Sequence, residues 1–174
     1  MMIGKIALTL ATGVVALAGL AAAAGGPGDA EIAHIAYTAG VIDIAAGEQA
    51  LHKSRNGTVR AFAQEMVRDH GAVNEQALAL VNELGVTPRD NATSRALKEA
   101  ADEEIRKLSS LEGTAFDRAY VTNEVSFHRT VNEALRKTLI PGAQNGRLRA
   151  LLETGLSLFS EHQMHAEGLA AKLG

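Results

Sequence analysis

Five ionisable side chains lie on faces of predicted helices that are otherwise apolar. They are Asp43, His70, Glu124, His128 and His162. Apolar residues that recur every three or four positions predict a helix with one buried face, and each of the five falls on such a face. Neutral imidazoles and carboxylates that meet in a dry core are the groups that bind a divalent metal. The residue types therefore indicate a metal site inside a helical protein.

The segment 59–84 is the clearest amphipathic helix of the chain. One arc of it is apolar and the opposite arc is polar. The apolar arc consists of Val59, Phe62, Ala63, Met66, Val73, Ala77, Leu80, Val81 and Leu84, and the polar arc of Arg60, Gln64, Arg68, Glu75 and Gln76. His70 lies inside the apolar arc, where a leucine would be expected. Asp69 lies at the edge of that arc. We expect Asp69 either to orient a histidine of the site or to be a solvated acid.

The five candidate side chains are expected to converge. Each lies within about three residues of the midpoint of its helix, which is about 5 Å along the helix axis. In an antiparallel bundle the midpoints of all helices share one layer. A metal-free layer of hydrogen-bonded histidines and carboxylates is the alternative. Burial of so many ionisable groups is costly unless something compensates them.

Other polar positions are weaker candidates. Glu48 and His52 are four residues apart but point away from the apolar face, so they are interpreted as a surface pair. Asp117 falls on an inward arc, but its position at the start of a helix explains it as a cap. His165 lies at the edge of its helix face and is at most a fringe ligand. His34 is predicted to be exposed.

The elements that must position these side chains are helices. Hydrophobic residues make up 47% of the chain and aromatics only 3%, a composition that suits close helix packing, and alternating β-branched runs are few. The periodicity predicts helices over about 30–54, 59–84, 91–110, 114–139 and 145–173. We predict an all-α domain, an up-and-down four-helix bundle, with an extra helix or a broken segment before the third long helix.

Local signals predict where the helices begin and end. Asp29 is expected to cap the first helix and Thr58 the second. Thr114 with Asp117 resembles a capping box at the start of the third long helix. Ile140-Pro141-Gly142 is expected to break the chain before the last helix.

The first 24 residues are interpreted as a signal peptide. Lys5 gives a short positive region, residues 6–20 are apolar, and Ala22-Ala23-Ala24 offers a cleavage site. A retained membrane anchor is the alternative. We expect cleavage near Gly25, a folded domain over 25–174, and a periplasmic or secreted location.

Composition narrows the chemistry further. The chain has no cysteine, so disulfide and thiolate chemistry are excluded. Its formal net charge is −3 and no basic stripe is present, so a nucleic-acid partner is not expected. Any chemistry must use histidines, carboxylates or hydroxyl groups.

Three stretches of the chain resemble the bacterial domain-of-unknown-function 4142 family. They are FAQEMVRDHGAVN, LEGTAFDRAYVTNEVSFH and SEHQMHAEGL. The most specific pieces are Met66-Val67-x-Asp69-His70, Phe116-Asp117-x-x-Tyr120-Val121 and His128. The resemblance covers about Ile32 to Leu169. It implies a ferritin-like four-helix bundle that is exported to the periplasm or envelope, in a family without an established activity.

The resemblance also bears on the ligands. It places His70, His128 and His162 at the motif histidines of the family. Residues 43–47 read Asp-Ile-Ala-Ala-Gly, where the family tends to be rich in glutamate. Ferritin-like di-iron sites use a glutamate from two helices and Glu-x-x-His from two others. Apolar residues stand three positions before His70 and His162, so a zinc-like divalent metal is favoured over di-iron.

We therefore expect an exported helical bundle with a metal-binding core that acts in envelope homeostasis or stress tolerance, and not a turnover enzyme. A ferritin-like metal-dependent oxidoreductase is the first alternative. A metal-free module that binds an envelope partner is the second. After signal cleavage we expect no stable membrane insertion, and an envelope protein or a second copy of the chain as partner.

Overall fold

The structure, a computed structural model, describes residues 26–173. Its elements are α1 (Asp29–Lys53), α2 (Gly57–Glu83), α3 (Ala92–Ser109), α4 (Gly113–Ala134), a π-helical turn (Leu135–Leu139), α5 (Ile140–Gly142) and α6 (Gly146–Leu173). No strand occurs in this range, and the predicted all-α class is confirmed. The predicted signal peptide, residues 1–24, lies outside the described residues.

Four long helices surround the core. α1 packs along α2, α4 packs along α6, and contacts of α2 with α6 and of α1 with α4 join the two pairs. α3 packs mainly on α1, so the charged segment before the third long helix is an extra helix of its own. It carries the chain back along the bundle before α4, as in four-helix bundles with one long crossover connection. None of the described helices is long and apolar enough to cross a membrane.

Two apolar clusters fill the core, one toward each end of the bundle. One includes Ile35, Val81, Leu135 and Leu152, and the other includes Phe62, Tyr120 and Leu169, among others. On each of the four long helices the candidate ionisable residues lie between the segments that build the two clusters. The bundle therefore holds one polar layer between two apolar layers.

Small residues bring α1 close to α2 at this polar layer. A Cβ atom added at Gly47 would lie 2.9 Å from Val67 Cγ2, and one added at Gly40 would overlap the side-chain amide of Asn74. Asp43 lies on the same helix face, between the two glycines. The close approach allows its short side chain to reach residues of α2.

Two predicted helix caps are wrong. α2 is capped by Asn56, whose Oδ1 accepts the backbone N–H of Thr58 at 2.9 Å. α4 begins at Gly113, before Thr114, and Asp117 is a buried residue of its second turn. Gly113 has a φ of 56°, which glycine adopts without the steric cost of a side chain. The turn into α4 is therefore set by this glycine and not by a capping box.

Asp29 does not cap the first helix either. Gly28 occupies the cap position, and Asp29 is the first residue of α1. Its carboxylate instead accepts the backbone N–H groups of Gln144 at 2.8 Å and Asn145 at 2.9 Å. The start of the first helix is thereby joined to the connection that precedes the last helix.

The predicted break at Ile140-Pro141-Gly142 lies one to three residues too early. These residues form α5, which continues the helix, and the chain leaves the helix at residues 143–145. In the π-helical turn the N–H of Ile140 donates to the carbonyl of Leu135, five residues earlier. Pro141 has no N–H to donate, and the wider turn accommodates it without ending the helix.

Candidate metal site

The structure brings the five predicted side chains into one layer of the core. Asp43 comes from α1, His70 from α2, Glu124 and His128 from α4, and His162 from α6. None of them is more than 2% exposed. Because ionised groups are seldom buried without partners, the contacts among them decide what the layer can do.

Asp43 lies at the centre of the layer. Its Oδ2 atom is 2.5 Å from Nε2 of His70 and 3.3 Å from Nε2 of His128. The ring centroids of His70, His128 and His162 are 5.3 to 5.5 Å apart. Three imidazoles bound tetrahedrally at about 2.0–2.1 Å would have centroids about 5 Å apart. The rings are thus spaced almost as they would be around one ion.

Many polar atoms of this layer have no hydrogen-bond partner among the described residues. The buried atoms without a hydrogen bond of good geometry are both carboxylate oxygens of Asp43 and of Glu124, both ring nitrogens of His70, Nε2 of His128 and Nδ1 of His162, although Oδ2 of Asp43 and Nε2 of His70 are in direct contact. Such atoms are rare in protein cores and costly when they occur. They are concentrated in one place, among side chains that could hold a metal ion.

Hydrogen bonds fix which nitrogens of two histidines carry a lone pair. His128 Nδ1 lies 3.0 Å from the carbonyl oxygen of Glu124, which can only accept, so Nδ1 carries the proton. In the neutral ring Nε2 is then an acceptor, and it faces a second acceptor, Oδ2 of Asp43. Two acceptors at this distance repel each other unless a cation lies between or beside them.

His162 is oriented from the other side of the layer. Its Nε2 donates to Oδ2 of Asp69 at 3.1 Å, which leaves a buried lone pair on Nδ1. Asp69 is itself held by Arg68, whose Nε and Nη2 lie 2.7 and 3.0 Å from its two oxygens. The hydrogen bond from Arg68 lowers the pKa of Asp69, and that from His162 lowers it further. Asp69 therefore has the histidine-orienting position, one of the two roles considered from the sequence.

The pKa values of the two buried carboxylates are shifted in opposite directions. Burial, the charge of Asp43 and a hydrogen bond with Asp43 all raise the pKa of Glu124 well above its usual range. Burial would also raise the pKa of Asp43, but the charges of His70 and His128 outweigh it and hold that pKa below the usual range. Burial also lowers the pKa of His128 and of His162. At neutral pH Asp43 is therefore ionised and the rings of His128 and His162 are neutral, whereas Glu124 keeps its proton to a higher pH than an exposed glutamate does.

Two further residues of the site, Tyr120 and Phe159, have only the pattern of core residues in the sequence. The Tyr120 hydroxyl is buried without a partner, and burial together with the charges of Glu124 and Asp43 raises its pKa. Phe159 stacks flat on His70, with centroids 4.4 Å apart and planes 9° apart. Tyr120 lies four residues before Glu124, and this spacing was the available signal. Nothing in the sequence pattern distinguishes Phe159 from other core residues.

Asn132 is a third residue that the sequence did not single out. It is fully buried, and its Nδ2 donates to the carbonyl of Phe159 at 3.1 Å and to Oε1 of Gln163 at 3.0 Å. These bonds attach α4 to α6 beside His162. Asn132 follows His128 by one helical turn, which places the attachment next to the histidine layer.

The weaker candidates lie away from this layer. Glu48 and His52 are exposed on α1, as predicted. His165 is exposed, and it contacts Glu65 and the edge of the apolar core at Phe62, not the polar layer. His34 was predicted to be exposed but is half-buried, because its face of α1 is covered, and its Nδ1 has no partner. Asp117 is buried but lies about two turns before the layer on α4.

A cavity of about 360 Å³ borders the layer at Phe159. Its walls come from α1, α2, α3, α4, the π-helical turn and α6, and they consist mainly of apolar side chains such as Ile35, Val131 and Leu152. Phe159 thus separates the polar layer from an apolar space.

These observations define a class, an all-helical protein whose core contains a histidine and carboxylate cluster able to hold a metal ion. The chain belongs to the family described as domain of unknown function DUF4142, whose model matches residues 15–169. The resemblance drawn from its motifs is confirmed.

The fold is also found in a solved structure. The crystal structure of a Streptomyces coelicolor protein, described as secreted and as DUF305, aligns with a TM-score of 0.71. The two chains are 12% identical, and the alignment covers 83% of this chain and 92% of that one. At this identity the likeness shows the fold alone. No curated protein matches the sequence.

Proposed function

We propose that the protein binds a divalent metal ion in its buried polar layer. The ligands are the imidazoles of His70, His128 and His162 and the carboxylate of Asp43, with Glu124 protonated beside Asp43 or completing the ligand set. The proposal depends on two buried lone pairs, one on Nε2 of His128 and one on Nδ1 of His162. In each ring the other nitrogen donates a hydrogen bond, which fixes the tautomer and leaves the lone pair unused. A cation satisfies both atoms and the charge of Asp43 at once.

The donor set favours a zinc-like ion. Three imidazole nitrogens and one carboxylate oxygen make a tetrahedral site of the kind that Zn²⁺ occupies. A di-iron centre of the ferritin-like kind uses four glutamates and two histidines. Asp43 and Glu124 are the carboxylates that share this layer, so the alternative of a ferritin-like oxidoreductase has less support.

We further propose a binding role, and not turnover, for an exported protein. Four protein ligands close a tetrahedral site, whereas catalytic zinc sites keep a position for water or substrate. Export is supported by the similar fold of a protein described as secreted. We propose that this binding serves envelope homeostasis or stress tolerance.

Thermal unfolding with and without metal tests the proposal. Zn²⁺ at 100 times its dissociation constant should stabilise the wild type by about 2.7 kcal/mol, and a chelator should remove that gain. His70→Leu should abolish the response to Zn²⁺. In the metal-free variant leucine suits the apolar surroundings and removes a desolvation cost, but the carboxylate of Asp43 loses one of its two imidazole neighbours, so the metal-free variant should be no more stable than the metal-free wild type.

His128→Leu and His162→Leu should lose the response together with His70→Leu, because three ligands of one site act as a unit. His52→Leu is the matched control, since His52 is exposed and away from the layer. A wild type that does not respond to chelator, combined with a His70→Leu variant destabilised by about 1–3 kcal/mol, would show a metal-free hydrogen-bonded core instead.

A further inference from the structure

A second group of metal-binding side chains lies outside the buried layer, on the facing surfaces of α2 and α6. We call Glu65, Asp69 and His165 the outer cluster. His165 Nδ1 lies 2.9 Å from Oε2 of Glu65, and Asp69 Oδ2 lies 3.1 Å from Nε2 of His162. Ligand atoms of Glu65, Asp69 and His162 all lie within 4.8 Å of one another. His162 therefore belongs to both groups, with Nε2 bonded to Asp69 and Nδ1 buried without a hydrogen bond.

The side chains of this group form a gradient of exposure toward the core. The exposed fraction is 46% for His165, 30% for Glu65, 18% for Asp69 and 1% for His162. All four side chains along this gradient can ligate a cation. The ring of His165 is held edge-on against Phe62, with centroids 5.1 Å apart, so its position is fixed by packing.

The cavity on the other side of the layer is unsuited to an ion. Its walls near Phe159 are mainly apolar, and they cannot replace the water molecules of a hydrated cation. The outer cluster can replace them, with two carboxylates and an imidazole. Arg68, which pairs with Asp69, is a surface side chain and can move away when a cation arrives.

We propose that the outer cluster is the first binding position of the metal ion, from which the ion reaches the buried layer past His162. This inference rests on the proposed function, since it assigns the route to the same site. The outer cluster binds the ion weakly and transiently, because its side chains are solvated and Asp69 also serves Arg68 and His162. Its effect is on the rate of loading, and not on the final affinity.

Loading can be followed by mixing metal-free protein with Co²⁺ and recording the visible absorption of tetrahedral cobalt in a stopped-flow instrument. In the double variant Glu65→Gln/His165→Ala we expect loading at least tenfold slower than in the wild type. Release to a chelator should slow by the same factor, because a route acts equally in both directions. The dissociation constant at the buried layer should therefore not change.

The matched control is Glu48→Gln/His52→Ala, which removes the same residue types from an exposed position on α1. It should load and release Co²⁺ at the wild-type rates. Equal rates in the wild type and the Glu65→Gln/His165→Ala variant would overturn the inference. A changed dissociation constant in that variant would show that the substitutions disturb the buried site itself, which also overturns it.

Failure of the proposed function has a different signature. In that case the wild type gives no tetrahedral cobalt spectrum, whatever the rates. Weak Co²⁺ binding measured by calorimetry then shows whether the outer cluster binds alone. If the double variant loses this weak Co²⁺ binding, the outer cluster is a binding position but not a route to the buried layer. If the wild type shows no such binding, both the binding position and the route are overturned.

Discussion

Asp43 and Glu124 lie in one buried layer, yet the pKa of Asp43 is lowered and that of Glu124 is raised. The difference follows from their neighbours, because Asp43 faces two imidazoles whereas Glu124 faces a charged carboxylate. The layer thus keeps a single negative charge in a space that could not stabilise two. A bound cation would let Glu124 release its proton, so metal binding and proton release are coupled.

This difference predicts how the stability of the metal-free protein depends on pH. The folded-state pKa of Glu124 is above its ordinary value of 4.5. The contribution of Glu124 to the free energy of unfolding is therefore complete below pH 4.5 and is lost as the pH rises toward the raised pKa. His128 and His162 have pKa values below their ordinary 6.5, so their contribution is complete above pH 6.5 and is lost on acidification. Above pH 6.5 the contributions of His128 and His162 no longer change, so a further fall in stability there reports Glu124.

We expect the free energy of unfolding of the metal-free wild type to fall above pH 6.5, by up to about 1.4 kcal/mol per pH unit for one proton. Glu124→Gln should be insensitive to pH over the same range, because the amide is neutral at every pH. Urea unfolding at a series of pH values, with chelator present, measures both slopes. Equal slopes in the two proteins would show that Glu124 is ionised in the fold.

The sequence located the five buried polar residues because each interrupts an apolar helical face near its midpoint. It did not show the pKa shifts or the two tautomers. These depend on a hydrogen bond within α4 at His128 and on contacts of His128 and His162 with other helices, all at 3.0 to 3.3 Å. Tyr120 was not recognised as part of the site, because an aromatic ring on an apolar face is ordinarily a core residue. The hydroxyl became notable only when the structure placed Glu124 and Asp43 near it.

The packing of α1 on α2 depends on the absence of side chains at two glycines. Gly47 faces Val67 Cγ2 and the carbonyl oxygen of Ala63, where an added Cβ would lie 2.9 and 3.1 Å away. Gly155 of α6 differs, because its added Cβ would lie 3.5 Å from the ring of Phe159, an ordinary contact. Gly47 and Gly155 therefore make a matched pair, since each is a glycine inside a long helix.

Gly155→Ala should raise the free energy of unfolding by about 0.5–1 kcal/mol, because alanine loses less backbone entropy in a helix. Gly47→Ala should lower it by about 1–3 kcal/mol, because the extra methyl group separates α1 from α2. Chemical unfolding of both variants in the presence of chelator gives the comparison. A Gly47→Ala variant as stable as Gly155→Ala would mean that the helices move apart without cost.

The helix positions could be predicted to within a few residues, since apolar periodicity extends along each element. The ends were less predictable, because several residues near each end can cap. Asn56 and Thr58 are both good caps, and only the backbone geometry selects Asn56. Pro141 predicted a break, but the π-helical turn before it keeps the chain helical.

Across the whole molecule, Asp29 joins the start of α1 to the connection that precedes α6. Its carboxylate accepts two backbone N–H groups from residues 115 and 116 positions later. These bonds hold the start of α1 against the connection into α6, so the helix that provides Asp43 is fixed to the helix that provides His162. The layer depends on this registry, although Asp29 is far from it along the helix.

Asp29→Ala should lower the free energy of unfolding by about 1–2 kcal/mol, since it removes the charged acceptor of two hydrogen bonds. Asp102→Ala is the control, because Asp102 is exposed on α3 and should change stability by less than about 0.5 kcal/mol. Urea unfolding with fixed chelator measures both. Similar values for the two variants would show that the Asp29 contact contributes nothing.

The last helix brings His162, and the partners of Asp29 immediately precede it. A chain still being synthesised, with α6 not yet made, therefore holds Asp43, His70 and His128 without the third imidazole and without the contact that closes the fold. If residues 1–24 direct export of the unfolded chain, the polypeptide crosses the membrane with no assembled ligand set. The compartment in which α6 docks, and not the one in which the chain is translated, would then determine which metal the protein carries.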